Sequence, residues 1–400
     1  MNRREFIAAA GAVPALGLPH LQQAASGPPQ RQPSDVWVEV DLDRIGFNLE
    51  SIRRKARGRK VMAVVKANGY GHGLVELGRY LDSKGIDGLM VGNFREALTL
   101  REAGVRATIL NFGPAFAADP LSLIEHDVSQ VVFTPDVDAL SDEGRKRGRK
   151  ARVHVLIDTG LGRLGVPYHE ASTFIEKLAR LPGIRVEGVM TAFTEDRDFD
   201  PVQLARFNEV HSRARSSGID LGIRHAASSD GLLAYGEDFL LDMVRPGILL
   251  YGQYPSSKAA EERLIEVRPA LSLKAAVVYS KTLRQGDSVS YHRRFVAERP
   301  TTVATLALGY SNGYPTALAD EGEVLIGGGL RPIIAPITAN HTVVQIDRDS
   351  IGIGDEAVLV GEQGGMTLGA EAVASRAGVS VYRFLIGLSP LVPRVYLGGA

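Results

Sequence analysis

Residues 61–73 read Val-Met-Ala-Val-Val-Lys-Ala-Asn-Gly-Tyr-Gly-His-Gly, five apolar residues that run straight into Lys66 and a glycine-rich turn. A continuous apolar run of that length reads as a strand buried on both faces, and a helical pattern follows over residues 74–84. Outward from this unit the same alternation recurs. Residues 88–91, 108–112, 128–133, 153–157, 186–190, 223–225 and 243–244 are further strand candidates, and helical stretches such as 94–103, 171–181 and 203–217 separate most of them. Strands alternating with helices in this way predict an α/β fold of parallel units, a closed (β/α)8 barrel over residues 35–255. A doubly wound open sheet has the same alternation and stays open as the alternative, although no Gly-rich dinucleotide fingerprint follows the first strand.

Beyond residue 256 the texture changes. Residues 271–283, 301–308, 323–326, 331–334, 342–346 and 356–360 are short, β-branched and separated by Gly, Pro, Asn or Asp. They predict a mainly β C-terminal domain, residues 256–400, with one late helical piece at 370–377. At the other end, Arg3 and Arg4 precede an apolar run, residues 7–18, and the small residues Ala24-Ala25-Ser26. The run is too short to span a bilayer about 30 Å thick and resembles a twin-arginine export signal. Residues 1–34 are therefore expected to be signal and linker, and the mature chain to be periplasmic or otherwise exported, with no membrane span.

Composition narrows the chemistry. The chain has 400 residues, with 46 Lys+Arg against 46 Asp+Glu. A balanced charge creates no long-range field for nucleic acid. With 0 Cys, thiol nucleophiles, disulfides and Cys-ligated metals are excluded. Oxygen and nitrogen groups, or a cofactor, must carry any reaction.

In a barrel those groups gather where strands end. A Lys after a buried strand is costly unless paired or used, and desolvation frees its amine to form a Schiff base with a carbonyl cofactor. Taken alone, a lysine snorkelling to water explains Lys66 better. Residues 153–157 run into Asp158-Thr159-Gly160-Leu161-Gly162-Arg163, which offers a planar guanidinium for a carboxylate or phenol oxygen. The seventh and eighth strands lead to Ser229 and to Gly247 and Ile248, a hydroxyl and two backbone N–H groups suited to a phosphate. Lysine and phosphate cradle at one barrel mouth suggest pyridoxal 5'-phosphate.

Residues 63–73 resemble the cofactor-lysine motif of alanine racemases. So do Trp37-Val38-Glu39-Val40-Asp41-Leu42 with Asn48, residues 158–165, Arg245-Pro246-Gly247 with Tyr251-Gly252, Ser290-Tyr291, residues 309–315 and Pro393-Arg394-Val395-Tyr396. The resemblance spans nearly the whole mature chain. It implies an amino-acid racemase, an isomerase that uses pyridoxal 5'-phosphate and acts on a small amino acid. It also implies a head-to-tail homodimer with active sites shared across the interface. Position by position, Lys66 resembles the Schiff-base lysine and one base, and Tyr291 the second base, supplied to the opposite subunit. Arg163 resembles the tyrosine's hydrogen-bond partner and Arg245 the partner of the pyridine nitrogen. Tyr70, Ser229, Gly247, Ile248 and Tyr382 resemble phosphate ligands, and Tyr310 the inner gate of the entry channel. No metal is assigned.

Four segments depart from the family. Ala192 replaces a His expected to touch the pyridine ring and brace Arg245, and Leu156 replaces a lysine often modified to a carbamate that braces Arg163. Ser228-Ser229 stands for Asn-Ser, and Thr338-Ala339-Asn340 for the Cys-Met-Asp that lines the substrate side. Loss of the bulky Met at Ala339 opens a second reading, a broad-specificity racemase acting on residues larger than alanine. A pyridoxal-phosphate aldolase or decarboxylase should not need Tyr291 in its present context. Retention of Lys66, Arg163 and Tyr291 together argues against a cofactor-binding protein without turnover.

Overall fold

The strand that opens the fold does not join the barrel that follows it. In the computed structural model, which describes residues 35–135, 137–346 and 351–399, β1 (Val36–Asp41) runs antiparallel to a long strand of the C-terminal sheet. It also pairs in parallel with the closing strand Arg394–Leu397. The proposed export signal lies outside the described residues. Asp41 then caps helix α1 (Leu42–Ala56) by accepting the Arg44 N–H at 2.9 Å. Ile45, Leu49 and Ile52 recur at helical spacing and bury one face of α1.

The barrel strands are β2 (Lys60–Val64), β3 (Gly88–Val91), β4 (Thr108–Asn111), β5 (Val128–Val132), β6 (Ala151–Asp158), β7 (Ile184–Met190), β8 (Ile223–His225) and β9 (Met243–Val244). Each pairs in parallel with the next, and β9 returns to β2 through Met243↔Lys60 and Val244↔Val61, so the sheet closes. Closure removes the open-sheet alternative. Side chains alternate across each strand. Met62, Met90, Leu110, Val131, Leu156, Met190 and Met243 meet inside the ring, while Val61, Ala63, Leu89, Val153 and Val155 join the larger core beneath the helices. The barrel is thus a packed interior below an open mouth.

β10 (Leu271–Leu283) organises the mainly β domain, pairing with β1, with Thr301–Leu306 and with Glu356–Gln363. The strand expected over 301–308 stops at Leu306, and the one expected over 331–334 spans Gly329–Pro332. A helix not anticipated, Val381–Gly387, carries Tyr382 and starts at Ser380, whose hydroxyl accepts the Arg383 N–H.

One buried side chain ties α1 to the connection between barrel and β domain. Asn48 donates to the carbonyls of Leu250 (3.0 Å) and Arg268 (2.9 Å) and accepts the Arg268 N–H at 2.7 Å. Deleting it leaves the buried Leu250 carbonyl without this donor, at about 1–3 kcal/mol, and also frees two part-buried groups of Arg268. Asn48→Ala should therefore lower the urea midpoint at an unchanged slope. An unaltered midpoint would show that the clamp contributes nothing.

Candidate active site

A cavity of about 530 Å³ opens at the C-terminal ends of the barrel strands. Lys66, Tyr70, Arg163 and Ser229 line it, together with Arg245, Gly247, Ile248 and Tyr382. A wider hollow, about 980 Å³, lies at the opposite end of the barrel among Arg215, Arg224 and Asp242. There Asp242 already neutralises Arg224 in a paired contact at 2.9 and 3.0 Å, so no free guanidinium of that pair is offered.

Lys66 is aimed by an unusual turn. Ala67, Asn68, Gly69 and Tyr70 all have φ between 51° and 61°, a left-handed run immediately after the strand. Such a conformation costs about 1–2 kcal/mol for each non-glycine residue. The turn is held by backbone bonds, Gly69 N–H to Val65 at 2.9 Å and Gly73 N–H to Asn68 at 2.9 Å. Glu96 adds a clamp from the next unit: its carboxylate accepts the N–H groups of Asn68 (3.2 Å) and Gly92 (2.8 Å). Burial lowers the Lys66 pKa, the Arg163 charge lowers it further, and Glu96 opposes both.

At the other side of the mouth, Ser229 Oγ accepts the N–H groups of Gly247 (3.0 Å) and Leu249 (3.4 Å). A Cβ on Gly247 would come within 2.8 Å of Tyr70 Oη, so only glycine lets the backbone approach the tyrosine this closely. Tyr70 stacks on Tyr251 with centroids 4.9 Å apart, and Tyr251 donates to the Val64 carbonyl at 2.9 Å. Burial raises the Tyr70 pKa to about 12 and pushes that of Tyr382 up as well, so both phenols stay protonated hydrogen-bond donors. A hydroxyl, convergent backbone N–H groups and two protonated tyrosines are the donor set a phosphate group requires.

Arg245 is buried between these groups. Its Nη2 donates to the carbonyls of Thr191 (2.8 Å) and Ala226 (3.0 Å), and its Nη1 to His225 Nδ1 (2.9 Å). Burial lowers its pKa to about 10, which leaves it charged at neutral pH. The His absent at Ala192 therefore does not leave Arg245 unsupported; His225 and two carbonyls hold it. Sequence reasoning gave His225 no role, because a histidine ending a short strand carries no signal until its neighbour is known.

Leu156 packs inside the barrel and offers Arg163 no charge. Among the described residues no carboxylate pairs with Arg163, which is exposed at the mouth. Its loop is shaped instead by Asp158 Oδ1, which accepts the N–H groups of Gly160 and Gly162 at 2.9 and 3.1 Å, and by Arg206, which donates to the Thr159 carbonyl at 2.8 Å. Tyr291, Tyr310 and Ala339 do not line the cavity of their own chain. Tyr291 is 73% exposed on a loop whose Ser290, His292 and Arg293 all have positive φ. Tyr310 donates its N–H to the Thr338 carbonyl at 3.0 Å, which places it beside Ala339.

Comparison with known proteins agrees with this geometry. Residues 40–255 match the family described as alanine racemase, N-terminal domain, and residues 270–396 match alanine racemase, C-terminal domain. The chain is 36% identical over 368 residues to alanine racemase 2 of Caldanaerobacter subterraneus subsp. tengcongensis, covering 90% of this chain and 94% of that protein. It is 37% identical to an alanine racemase of Symbiobacterium thermophilum, covering 90% and 97%. Among solved structures, alanine racemase from D-cycloserine-producing Streptomyces lavendulae superposes with a TM-score of 0.87 at 32% identity, over 92% of this chain and 99% of that one. The Bacillus anthracis alanine racemase with bound L-Ala-P gives 0.83 at 31% identity, over 92% and 96%.

The electrostatics of Lys66 are directly measurable. In cofactor-free protein labelled at lysine nitrogen, its amine should titrate below the ordinary lysine range, and Arg163→Leu should move it back upward. An ordinary titration insensitive to Arg163 would contradict the assignment of both effects.

Proposed function

The chain belongs to the alanine racemase family, and we propose that within it Lys66 and Tyr291 are the two bases that interconvert L- and D-alanine. The family's cofactor is pyridoxal 5'-phosphate. The observation that carries the residue assignment is the convergence of Lys66, Arg245 and the Ser229–Gly247 cradle in one cavity. That donor set fits the cofactor's carbonyl, ring nitrogen and phosphate in turn.

Pyridoxal phosphate, when bound, supplies an electron sink that weakens the Cα–H bond of an amino acid joined to it. The chain supplies the rest. Ser229, Tyr70, Tyr382 and the Ile248 N–H would hold the phosphate, as would the Gly247 N–H on turning from Ser229 Oγ. Arg245 has N–H donors and no acceptor, so it meets the ring nitrogen without protonating it and restrains side reactions. Racemisation needs a proton removed from one face of Cα and another returned to the opposite face. Lys66 Nζ moves the proton on the D side and Tyr291 Oη on the L side. Burial and Arg163 lower the Lys66 pKa and so favour the free amine this role needs.

Tyr291 lies outside its own chain's cavity and is exposed, which supports its delivery to the cavity of a second copy. The broad-specificity reading of Ala339 is not favoured, since the relatives compared are named alanine racemases. Arg3 and Arg4 before an apolar run support export by the twin-arginine route.

Tyr291→Phe keeps the ring and deletes the acid–base group. It should cut interconversion by about 10²–10⁴-fold. The Cα proton of D-alanine should still exchange with deuterated solvent, and that of L-alanine far more slowly. Mixing Tyr291→Phe with Lys66→Ala chains should restore activity through one intact shared site. Equal exchange of both isomers would refute the two-base assignment, and inactive verified mixed dimers would refute the shared site. For export, replacing Arg3 and Arg4 with Lys should retain the protein in the cytoplasm; unchanged export would exclude that route.

A further inference from the structure

Two histidines that the reaction does not use form a chain behind Arg245. His225 Nδ1 faces Arg245 Nη1 at 2.9 Å, and His225 Nε2 faces His154 Nδ1 at 2.8 Å. Arginine only donates, so His225 Nδ1 must be bare. A neutral His225 then carries its proton on Nε2 and donates it to His154, whose Nδ1 must be bare in turn. Only one arrangement of protons satisfies all three side chains. Burial supports neutrality: it lowers the His154 pKa to about 3, with the Arg152 and Arg245 charges adding, and holds that of His225 well below its usual value, with Arg245 and His154 adding.

The backbone is shaped to allow this contact. His154 is on β6 and His225 on β8, with β7 running between them. His154 crosses that strand at Gly188, where a Cβ would come within 2.4 Å of His154 Nδ1. The β6–β7 register also shifts between Val153 and His154, locally breaking the regular pairing where the imidazole passes. A glycine and a register shift at the crossing are what an imidazole needs to reach across a strand.

We propose that His154 is a positioning residue: it fixes His225 as the Nε2–H tautomer, so that a bare Nδ1 holds Arg245. Of the five guanidinium N–H donors, one goes to His225 and two to the Thr191 and Ala226 carbonyls. The Nε–H and one Nη1–H remain for the cofactor ring. Without an acceptor at position 154 the Nε2–H loses its partner and Arg245 alone opposes the Nδ1–H form, which would confront it with a second donor. The consequence for the cofactor rests on the functional reading above, whereas the tautomer does not.

The test compares His154→Leu, which has no acceptor, with His154→Asn, whose Oδ1 takes the place of Nδ1. Long-range nitrogen–proton NMR of ¹⁵N-histidine-labelled, cofactor-free protein should show His225 as the Nε2–H form in the unaltered chain and in His154→Asn, and a shift toward Nδ1–H in His154→Leu. Pyridoxal phosphate affinity should fall about 10–100-fold in His154→Leu, by analogy with loss of the partner that orients a metal ligand, and recover in His154→Asn. Thermal midpoints identify any variant that fails to fold. A charged or Nδ1–H His225 in the unaltered protein would overturn the proposal. So would equal loss of affinity in two well-folded variants, or no loss in His154→Leu. If the unaltered protein takes up no pyridoxal phosphate, the functional reading fails, and the tautomer spectra still decide the relay.

Discussion

The pairing of β9 with β2 is the constraint on which the site depends. It joins the last barrel strand to the first through Met243↔Lys60 and Val244↔Val61, and the ladder continues upward as Val64 donates its N–H to the Pro246 carbonyl at 2.9 Å. Lys66 lies just past one strand and Arg245 just past the other. Closing the ring therefore brings into one cavity two cations that are far apart in sequence. The phosphate cradle follows, because Gly247 continues from Arg245, and Arg245 N–H bonds the Ala227 carbonyl at 2.8 Å, just before Ser229.

Gathering polar groups above a methionine-rich interior is unfavourable unless each finds a partner. The structure meets that requirement largely through bonds to the backbone. Arg245 is held by two carbonyls and an imidazole and lacks any carboxylate among them, so its charge stays available to the cavity. The left-handed turn after Lys66 is stabilised by the Glu96 carboxylate, which accepts the Asn68 and Gly92 backbone amides. Where the family's anionic brace is missing at Leu156, Asp158 and Arg206 shape the Arg163 loop through its backbone. These substitutes fix the loop without pairing its guanidinium.

Local pattern made the barrel legible. Apolar runs such as residues 61–65 and 186–190 are short and recur between amphipathic helices, and most strand ends fall where the pattern puts them, the rest shifting by one to three residues. β1 was not legible as part of the C-terminal sheet, because its partners β10 and Arg394–Leu397 lie far downstream and nothing local distinguishes it from a barrel strand. In the site, Lys66, Ser229, Arg163, Gly247 and Ile248 were readable as groups at strand ends. Arg245, Tyr70 and Tyr382 were identified by resemblance, Tyr382 sitting on a helix the pattern did not reveal. His154 and His225 were invisible in a role. Their meeting depends on a side chain crossing over Gly188, a contact that no periodicity encodes.

The most direct measurement is conversion itself. The purified full chain loaded with pyridoxal phosphate is incubated separately with L-alanine and with D-alanine, and both isomers are followed by chiral chromatography. Both reactions should converge on equal amounts of the two enantiomers, as mirror-image species must at equilibrium, and Lys66→Ala should convert neither. Protein that carries the cofactor on Lys66 yet leaves both isomers unchanged would contradict the account.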